Sequence, residues 1–206
     1  MKKINITLSF IFVLLLSGFV MAQDYLELRA GVTRDGVTYR YVDYNHTFKK
    51  GAVIDIAHYG SPGQNEFWFG AGQTVKNENF SAVFAGYLVT AKENKQLGAG
   101  LSSWGSGKIG KKANLSYLTY AFLPARGSVK KYLSLDSLEI TGVINKKFEA
   151  GASVGAFVNG SGNTGLVGGV VKINDKLGFT SFTLRGGSYT EFRVGRSFNF
   201  NLFKVK

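Results

Sequence analysis

Apolar and polar residues alternate along most of the chain beyond position 23. The clearest segment runs from Phe148 to Val158, where every second residue is Phe, Ala or Val and the positions between include Glu, Gly and Ser. The segment from Leu26 to Val32 repeats the pattern with Leu, Ala and Val on one parity. Successive side chains of a β-strand point to opposite faces, and no window shows a capped apolar stripe of helical period. The pattern therefore predicts an all-β chain.

Turn-forming residues separate these segments at eleven places and predict about twelve strands, with 10 to 14 possible. The spacing of about 13 to 16 residues exceeds that of compact sandwiches and suits tilted membrane strands of ~9–11 residues. Between Leu135 and Leu138 the apolar parity switches, which predicts a β-bulge. The turns are Asp35-Gly36, Lys49–Gly51, Pro62-Gly63, Asn77–Asn79, Glu93-Asn94, Gly105–Lys112, Pro124–Gly127, Asn145–Lys147, Gly160–Asn163, Asn174–Lys176 and Gly186-Gly187.

One face of the strands is uniformly aliphatic, and the other mixes Gly, Ser, charges and a few aromatic residues. Aliphatic side chains outside and polar ones inside are the order expected of a barrel surrounded by lipid. We therefore predict an antiparallel up-and-down transmembrane β-barrel. A soluble barrel, the alternative, would turn the aliphatic face inward.

The first residues have the layout of an export signal. Lys2 and Lys3 precede an apolar run from Leu8 to Val20, and Ala22 ends a segment of small or medium residues. We predict a signal peptide over residues 1–22, cleaved near Ala22, and a single barrel domain over residues 23–206. An uncleaved anchor helix is the alternative.

The segment from Arg193 to Phe200 has the order polar, any, Gly, any, any, apolar, any, apolar, with Gly195, Phe198 and Phe200 at its fixed positions. With the export signal and the strand-only chain, it resembles Gram-negative outer-membrane β-barrel proteins. The resemblance implies an outer-membrane location, contact with outer-membrane lipid, and recognition of the last strand by the barrel-insertion machinery. Small monomeric twelve-stranded channels for acidic oligosaccharides share the size and architecture, so a monomer is expected.

Strand parity assigns a set of mostly charged side chains to the lumen. They are of both signs, so they either neutralise one another or form an eyelet that orients a passing solute. Because the first and last strands of a closed barrel are neighbours, pairs between them are expected. Trp68 could stack on a sugar ring in the pore. The lumen candidates are Glu27, Arg29, Arg40, Asp55, Glu66, Trp68, Asp136, Glu149, Lys172, Arg185, Glu191 and Arg193.

The formal net charge of +12 arises largely outside the lumen. Eleven lysines fall in alternate turns and at the C-terminus, which in the resembling family face the periplasm. Such a ring would contact anionic phospholipid headgroups or concentrate small anionic solutes. An exported chain without a nucleic-acid module is not expected to bind nucleic acid. The lysines are Lys49, Lys50, Lys76, Lys108, Lys111, Lys112, Lys146, Lys147, Lys176, Lys204 and Lys206.

We expect a small passive pore for polar solutes. The alternatives are a closed structural or accessory barrel of the envelope and a lipid-modifying enzyme, for which His58, Ser61 and Asp55 are the candidate residues. The chain has no Cys and only two His, so we expect neither a metal site nor a cofactor.

Overall fold

The computed structural model describes residues 23–91, 95–160 and 162–200. The predicted signal peptide, with its cleavage site near Ala22, and the tail with Lys204 and Lys206 lie outside the described residues. Among the described residues, no helix is long and apolar enough to cross a bilayer.

Twelve antiparallel strands form one closed barrel, in which β1 pairs with both β2 and β12. This confirms the predicted fold class and strand number. The strands are β1 Gln23–Thr33, β2 Thr38–Thr47, β3 Ala52–Ser61, β4 Gln64–Lys76, β5 Phe80–Ala91, β6 Gln96–Ile109, β7 Ala113–Arg126, β8 Tyr132–Val143, β9 Phe148–Asn159, β10 Gly162–Asn174, β11 Gly178–Gly187 and β12 Glu191–Phe200.

The barrel has two mouths. We call the end where β1 begins and β12 ends the termini mouth; its turns are 48–51, 77–79, 110–112, 144–147 and 175–177. The other end is the opposite mouth. Its described connections include 34–37, 62–63, 127–131 and 188–190. All of these connections are short, so the strands supply nearly all of the wall and the lining.

Aliphatic residues cover the outside of the barrel and polar residues occupy the inside. Leu101 is 59% exposed and Val167 is 63% exposed, whereas Asp55, Glu66 and Arg185 are each 2% exposed. A water-soluble barrel would show the reverse distribution. The outer surface is therefore matched to hydrocarbon, as in membrane barrels.

Two irregularities interrupt the ladders. The pairing of β8 with β9 shifts between Leu135 and Leu138, which confirms the predicted bulge. Pro124, predicted to begin a turn, instead lies inside β7 beside a register shift against β6. Proline has no N–H to donate, so a strand accepts it where the ladder is already irregular.

Both tryptophans lie inside the barrel, which gives a direct test of its orientation. Trp68 is 7% exposed, and Trp104 packs against the same interior cluster. We expect lipids brominated in mid-chain to quench the fluorescence of the wild-type protein weakly. The variant Phe69→Trp, whose new indole lies on the outer face, should be quenched strongly. Equal quenching of the two proteins would contradict the assignment of the faces.

Candidate solute pathway inside the barrel

Eleven of the twelve lumen candidates lie on the inner face of the barrel, as judged from strand register and burial. They come from eight strands, and most are nearly inaccessible to water because neighbouring side chains pack against them. They are Glu27, Arg29, Asp55, Glu66, Trp68, Asp136, Glu149, Lys172, Arg185, Glu191 and Arg193.

The twelfth candidate, Arg40, was assigned to the wrong face. It is exposed on the outside of β2, while its neighbours Tyr39 and Tyr41 point inward. An inward Arg40 would place both tyrosines on the outer face, because neighbouring residues of a strand point to opposite sides. In the structure the Tyr39 hydroxyl donates a 2.6 Å hydrogen bond to Glu191, which a lipid-facing phenol could not do. The hydrogen bonds available to tyrosine hydroxyls inside the barrel therefore place Tyr39 and Tyr41 on the inner face and Arg40 on the outer face.

Two inward acids were missed by the sequence analysis. Asp43 is 8% exposed on the inner face of β2, and its omission follows from the same parity error. Glu139 lies beyond the β8 bulge, where the inner face changes parity, and forms a 2.7 Å ion pair with Lys172. The parity switch at Leu135 and Leu138 was the signal that could have identified Glu139.

The central feature of the lumen is an ion cluster that joins opposite walls. The Asp136 carboxylate on β8 contacts Arg29 on β1 at 2.5 Å and Arg193 on β12 at 2.9 Å. Three strands, β9 to β11, separate β8 from β12 around the barrel. These contacts therefore form a chord across the lumen. We call Asp136, Arg29 and Arg193 the clasp.

The bulge in β8 presents Asp136 to the centre of the lumen. In the pairing of β8 with β9, the register passes from Leu135 to Leu138 and leaves Asp136 without a partner. The Asp136 carbonyl oxygen is free of the ladder and accepts a 2.6 Å hydrogen bond from Arg185. Bulges commonly redirect a side chain in this way.

Neighbouring groups hold the arginines of the clasp in place. Arg29 also binds Glu27 at 2.6 Å, and Arg193 donates a 2.7 Å hydrogen bond to the Tyr39 hydroxyl. Glu191 accepts from Arg185 at 2.5 Å and from Arg193 at 3.3 Å. We predicted direct pairs between the first and last strands. In the structure, Arg29 on β1 and Arg193 on β12 are instead joined by the Asp136 carboxylate, which binds both. Every one of these charges has an opposite partner, which buried ions require.

Gly155 on β9 makes room for Arg185. A Cβ at this position would lie 2.5 Å from the Arg185 Nη1 atom. Arg185 therefore fills the space between the clasp and the β9–β11 wall. Ala156 and Leu166 of that wall still line the lumen cavity, which extends to the other side of the clasp.

Aromatic rings line that other side. Trp68 packs edge-on against Tyr87 and Tyr120, with centroids 5.5 and 5.8 Å apart, and Tyr132 contacts Phe122 at 5.5 Å. The rings belong to β4, β5, β7 and β8. They form an apolar wall inside a polar lumen, facing the arginines. Stacking of Trp68 on a sugar would require part of this packing to open.

Glu66 lies within the aromatic wall, where neutral donors surround its carboxyl group. Its carboxylate accepts hydrogen bonds from Gln64 at 2.6 Å, Trp68 at 3.1 Å, Gln96 at 3.2 Å and Tyr132 at 3.2 Å. No ion pair to Glu66 is found in the described part of the chain. The wall therefore carries one acidic side chain among its aromatic rings.

A cavity of about 680 Å³ opens from the opposite mouth. It is lined near the entrance by Thr33, Lys130 and Tyr189, and deeper by Trp68 and Asp136 among others. The arginine side and the aromatic side face each other across it. Asp136 and Arg193 of the clasp are among its lining residues.

Acidic groups dominate the half of the lumen between the clasp and the termini mouth. Asp55 accepts a 2.8 Å hydrogen bond from Tyr87, and each of Asp43 and Asp55 buries one carboxylate oxygen without a hydrogen-bond partner. Glu149 accepts hydrogen bonds from Thr141 at 2.7 Å and Asn174 at 2.9 Å. This half of the lumen is therefore suited to positive or neutral groups.

The last strand places its signal residues on two faces. Gly195 points inward beside Ser181, whereas Phe198 and Phe200 have outward parity. Arg196, which shares the lipid-facing parity, reaches the turn at the termini mouth and pairs with Asp175 at 2.7 Å. The side chain thus carries its charge toward the interface while its stem stays on the apolar surface. Recognition by the insertion machinery remains a prediction.

The residues of the hypothetical lipid-modifying site do not come together. Asp55 is buried inside, whereas His58 lies outside against the Phe67 ring, with centroids 4.5 Å apart. Ser61 ends β3 at the opposite mouth. Within the described residues, no group of three or more His, Asp or Glu side chains is arranged to hold a metal ion.

Solved structures with the same architecture are outer-membrane porins. The KdgM porin superposes with a TM-score of 0.62 at 14% identity, covering 86% of this chain and 99% of that chain. The KdgM porin in complex with disordered oligogalacturonate gives 0.64 at 15% identity over 86% and 99% of the two chains. The NanC porin gives 0.63 at 10% identity over 86% and 100%.

The sequence itself matches no protein-family model and no curated protein. At these identities the structural likeness establishes the fold. The chain is an outer-membrane-type β-barrel with a lipid-facing apolar surface. All three solved structures are described as porins.

Proposed function

We propose that the protein is a monomeric, narrow passive pore for small polar solutes, with the clasp as its constriction. The observation that carries the proposal is the cavity of about 680 Å³ that leads from the opposite mouth to the clasp between charged and aromatic walls. A barrel built only as a scaffold has no need of such an entrance. Solutes would enter the cavity, pass the clasp and leave along the acidic half of the lumen.

The lumen charge favours neutral or cationic solutes over anionic ones. Apart from Lys76 and Lys108 at the ends of β4 and β6, the described inner face carries eight acidic side chains and four basic ones. The acids are Glu27, Asp43, Asp55, Glu66, Asp136, Glu139, Glu149 and Glu191, and the bases are Arg29, Lys172, Arg185 and Arg193. A ring of acids favours cations in a channel. We therefore do not extend the oligogalacturonate of the KdgM complex to this chain.

Reversal potentials in a potassium chloride gradient test this selectivity. We expect a preference for potassium, which the variant Glu149→Gln should reduce. The matched control, Glu78→Gln, removes one exposed acid in a turn of the termini mouth and should leave the preference unchanged. A preference for chloride in the wild-type protein would show that the lysines at that mouth, rather than the inner face, control entry.

A closed accessory barrel is the second candidate, and the packing of the lumen favours it. Phe122 is 0% exposed inside the barrel, and the clasp joins the opposite walls. Single-channel recordings in planar bilayers separate the two functions. Discrete conductance steps support the pore. If neither the folded wild-type protein nor variants that break the clasp conduct ions, the pore is contradicted and the closed barrel is supported.

A further inference from the structure

The turns of the termini mouth concentrate exposed lysine. Nine lysines lie in or beside the five turns, and in the described part of the chain none of the nine takes part in an ion pair. The turns themselves contain two acids, Glu78 and Asp175, and Asp175 is bound by Arg196. The nine are Lys49, Lys50, Lys76, Lys108, Lys111, Lys112, Lys146, Lys147 and Lys176.

Exposed aliphatic side chains stand beside these lysines. In four of the five turns, a Val, Ile or Leu lies within two residues of a lysine: Val75 is 60% exposed, Ile109 48%, Ile144 68% and Leu177 58%. Water alone would not favour this exposure. A membrane interface satisfies both groups, since the aliphatic side chain enters the acyl boundary while the amine reaches the phosphates.

The opposite mouth carries fewer lysines in its described connections than the termini mouth. The 127–131 segment carries Lys130 and Lys131, but its aliphatic residue, Val129, packs toward the interior cluster instead of outward. Arg34 follows β1 and is adjacent to an acid, Asp35. Leu97 and Leu133, 38% and 54% exposed, lie within two residues of Lys95 and Lys131, so the two mouths differ in the density of lysine rather than in the presence of aliphatic neighbours.

We propose that the nine lysines and the four aliphatic residues form a collar that binds anionic phospholipid headgroups in the leaflet at the termini mouth. A soluble polyanion would satisfy the amines but leave the aliphatic residues in water. Anionic lipid satisfies both, and each lysine near such a surface adds to the attraction. The collar would fix the depth of the barrel in the bilayer. The inference is independent of the proposed pore, because a closed barrel would carry the same collar.

Lipid selectivity of the full-length folded protein tests the collar. In bilayers of phosphatidylcholine with equimolar phosphatidylglycerol, we expect spin-labelled phosphatidylglycerol to associate with the barrel in preference to spin-labelled phosphatidylcholine. Replacing Lys111, Lys112, Lys146 and Lys147 by Gln should lower that preference by about threefold or more. Folding of each variant is checked by its heat-modifiable mobility in gels.

A control with the same change in charge uses the opposite mouth. Replacing Arg34, Lys95, Arg126 and Lys131 by Gln removes four exposed positive charges and should leave the preference near that of the wild type. Equal loss in both variants would overturn the collar, because net charge alone would then explain binding. Absence of any preference in the wild-type protein would overturn it as well.

A third variant tests the aliphatic half of the collar. Ile144→Ser with Leu177→Ser keeps every charge but removes two apolar anchors, and we expect a weaker preference for phosphatidylglycerol than in the wild type. An unchanged preference would overturn the pairing of lysine with aliphatic anchors.

Discussion

Replacing Asp136 by Asn should widen the pore and destabilise the barrel. The Asp136 carboxylate binds Arg29 and Arg193 from across the lumen, and an amide would leave both arginines short of a counter-ion. Removing one partner from a buried ion cluster typically costs about 3 to 5 kcal/mol. With the chord broken, we expect the unit conductance in planar bilayers to rise roughly twofold or more. Urea unfolding in vesicles measures the loss of stability.

Glu139→Gln is the matched control for the clasp. It makes the same chemical change on the same strand, but its partner Lys172 lies on β10, only one strand beyond the neighbouring β9. The Glu139–Lys172 pair therefore stays along the wall and does not cross the lumen. Its loss should lower stability without changing conductance. Conductance that rises equally in both variants, or in neither, would show that Asp136 is not the constriction.

The sequence was sufficient to predict the barrel because its evidence is local. Alternation within each strand needs only the residues of that strand, and turn residues mark its ends. Even the β8 bulge followed from the switch between Leu135 and Leu138. The same reasoning failed on β2. There Tyr39 and Tyr41 point to one face and Arg40 to the other, and each of these residue types has both an apolar part and a polar end, so alternation does not distinguish the faces. There the hydrogen bond from Tyr39 to Glu191, on a strand 152 residues away in sequence, decides which face is inside.

The contacts of the clasp could not be predicted from the sequence, for a different reason. Parity assigns Arg29, Asp136 and Arg193 to the lumen but does not say which side chains meet across it. The contact depends on the closure of twelve strands and on how far the bulge displaces Asp136. Residue separations of 107 and 57 along the chain leave no local signal of either pair. Contacts along a wall can be predicted from register, whereas contacts across a lumen need the three-dimensional closure.

Arginine introduced at Leu101 should destabilise the protein strongly, while arginine at Val75 should not. Both residues are about equally exposed, at 59% and 60%. Leu101 lies on the outer face between Gly86 on β5 and Ala121 on β7, away from either mouth, whereas Val75 lies one residue before the end of β4 at the termini mouth. A charge facing lipid costs about 2–4 kcal/mol at mid-depth and about 0–1 kcal/mol near the interface. We therefore expect a difference of about 2 kcal/mol or more between Leu101→Arg and Val75→Arg.

Urea unfolding in phosphatidylcholine vesicles measures that difference, with Leu101→Ala as a further control for loss of the aliphatic side chain. The depth dependence is what separates a bilayer from every other apolar environment. In a water-soluble container, the outer positions would contact solvent at any height, and Leu101→Arg and Val75→Arg would both be tolerated. Equal, small effects of the two arginines would therefore exclude a lipid-facing outer surface. They would also contradict the assignment of Asp136 and its partners to an aqueous lumen.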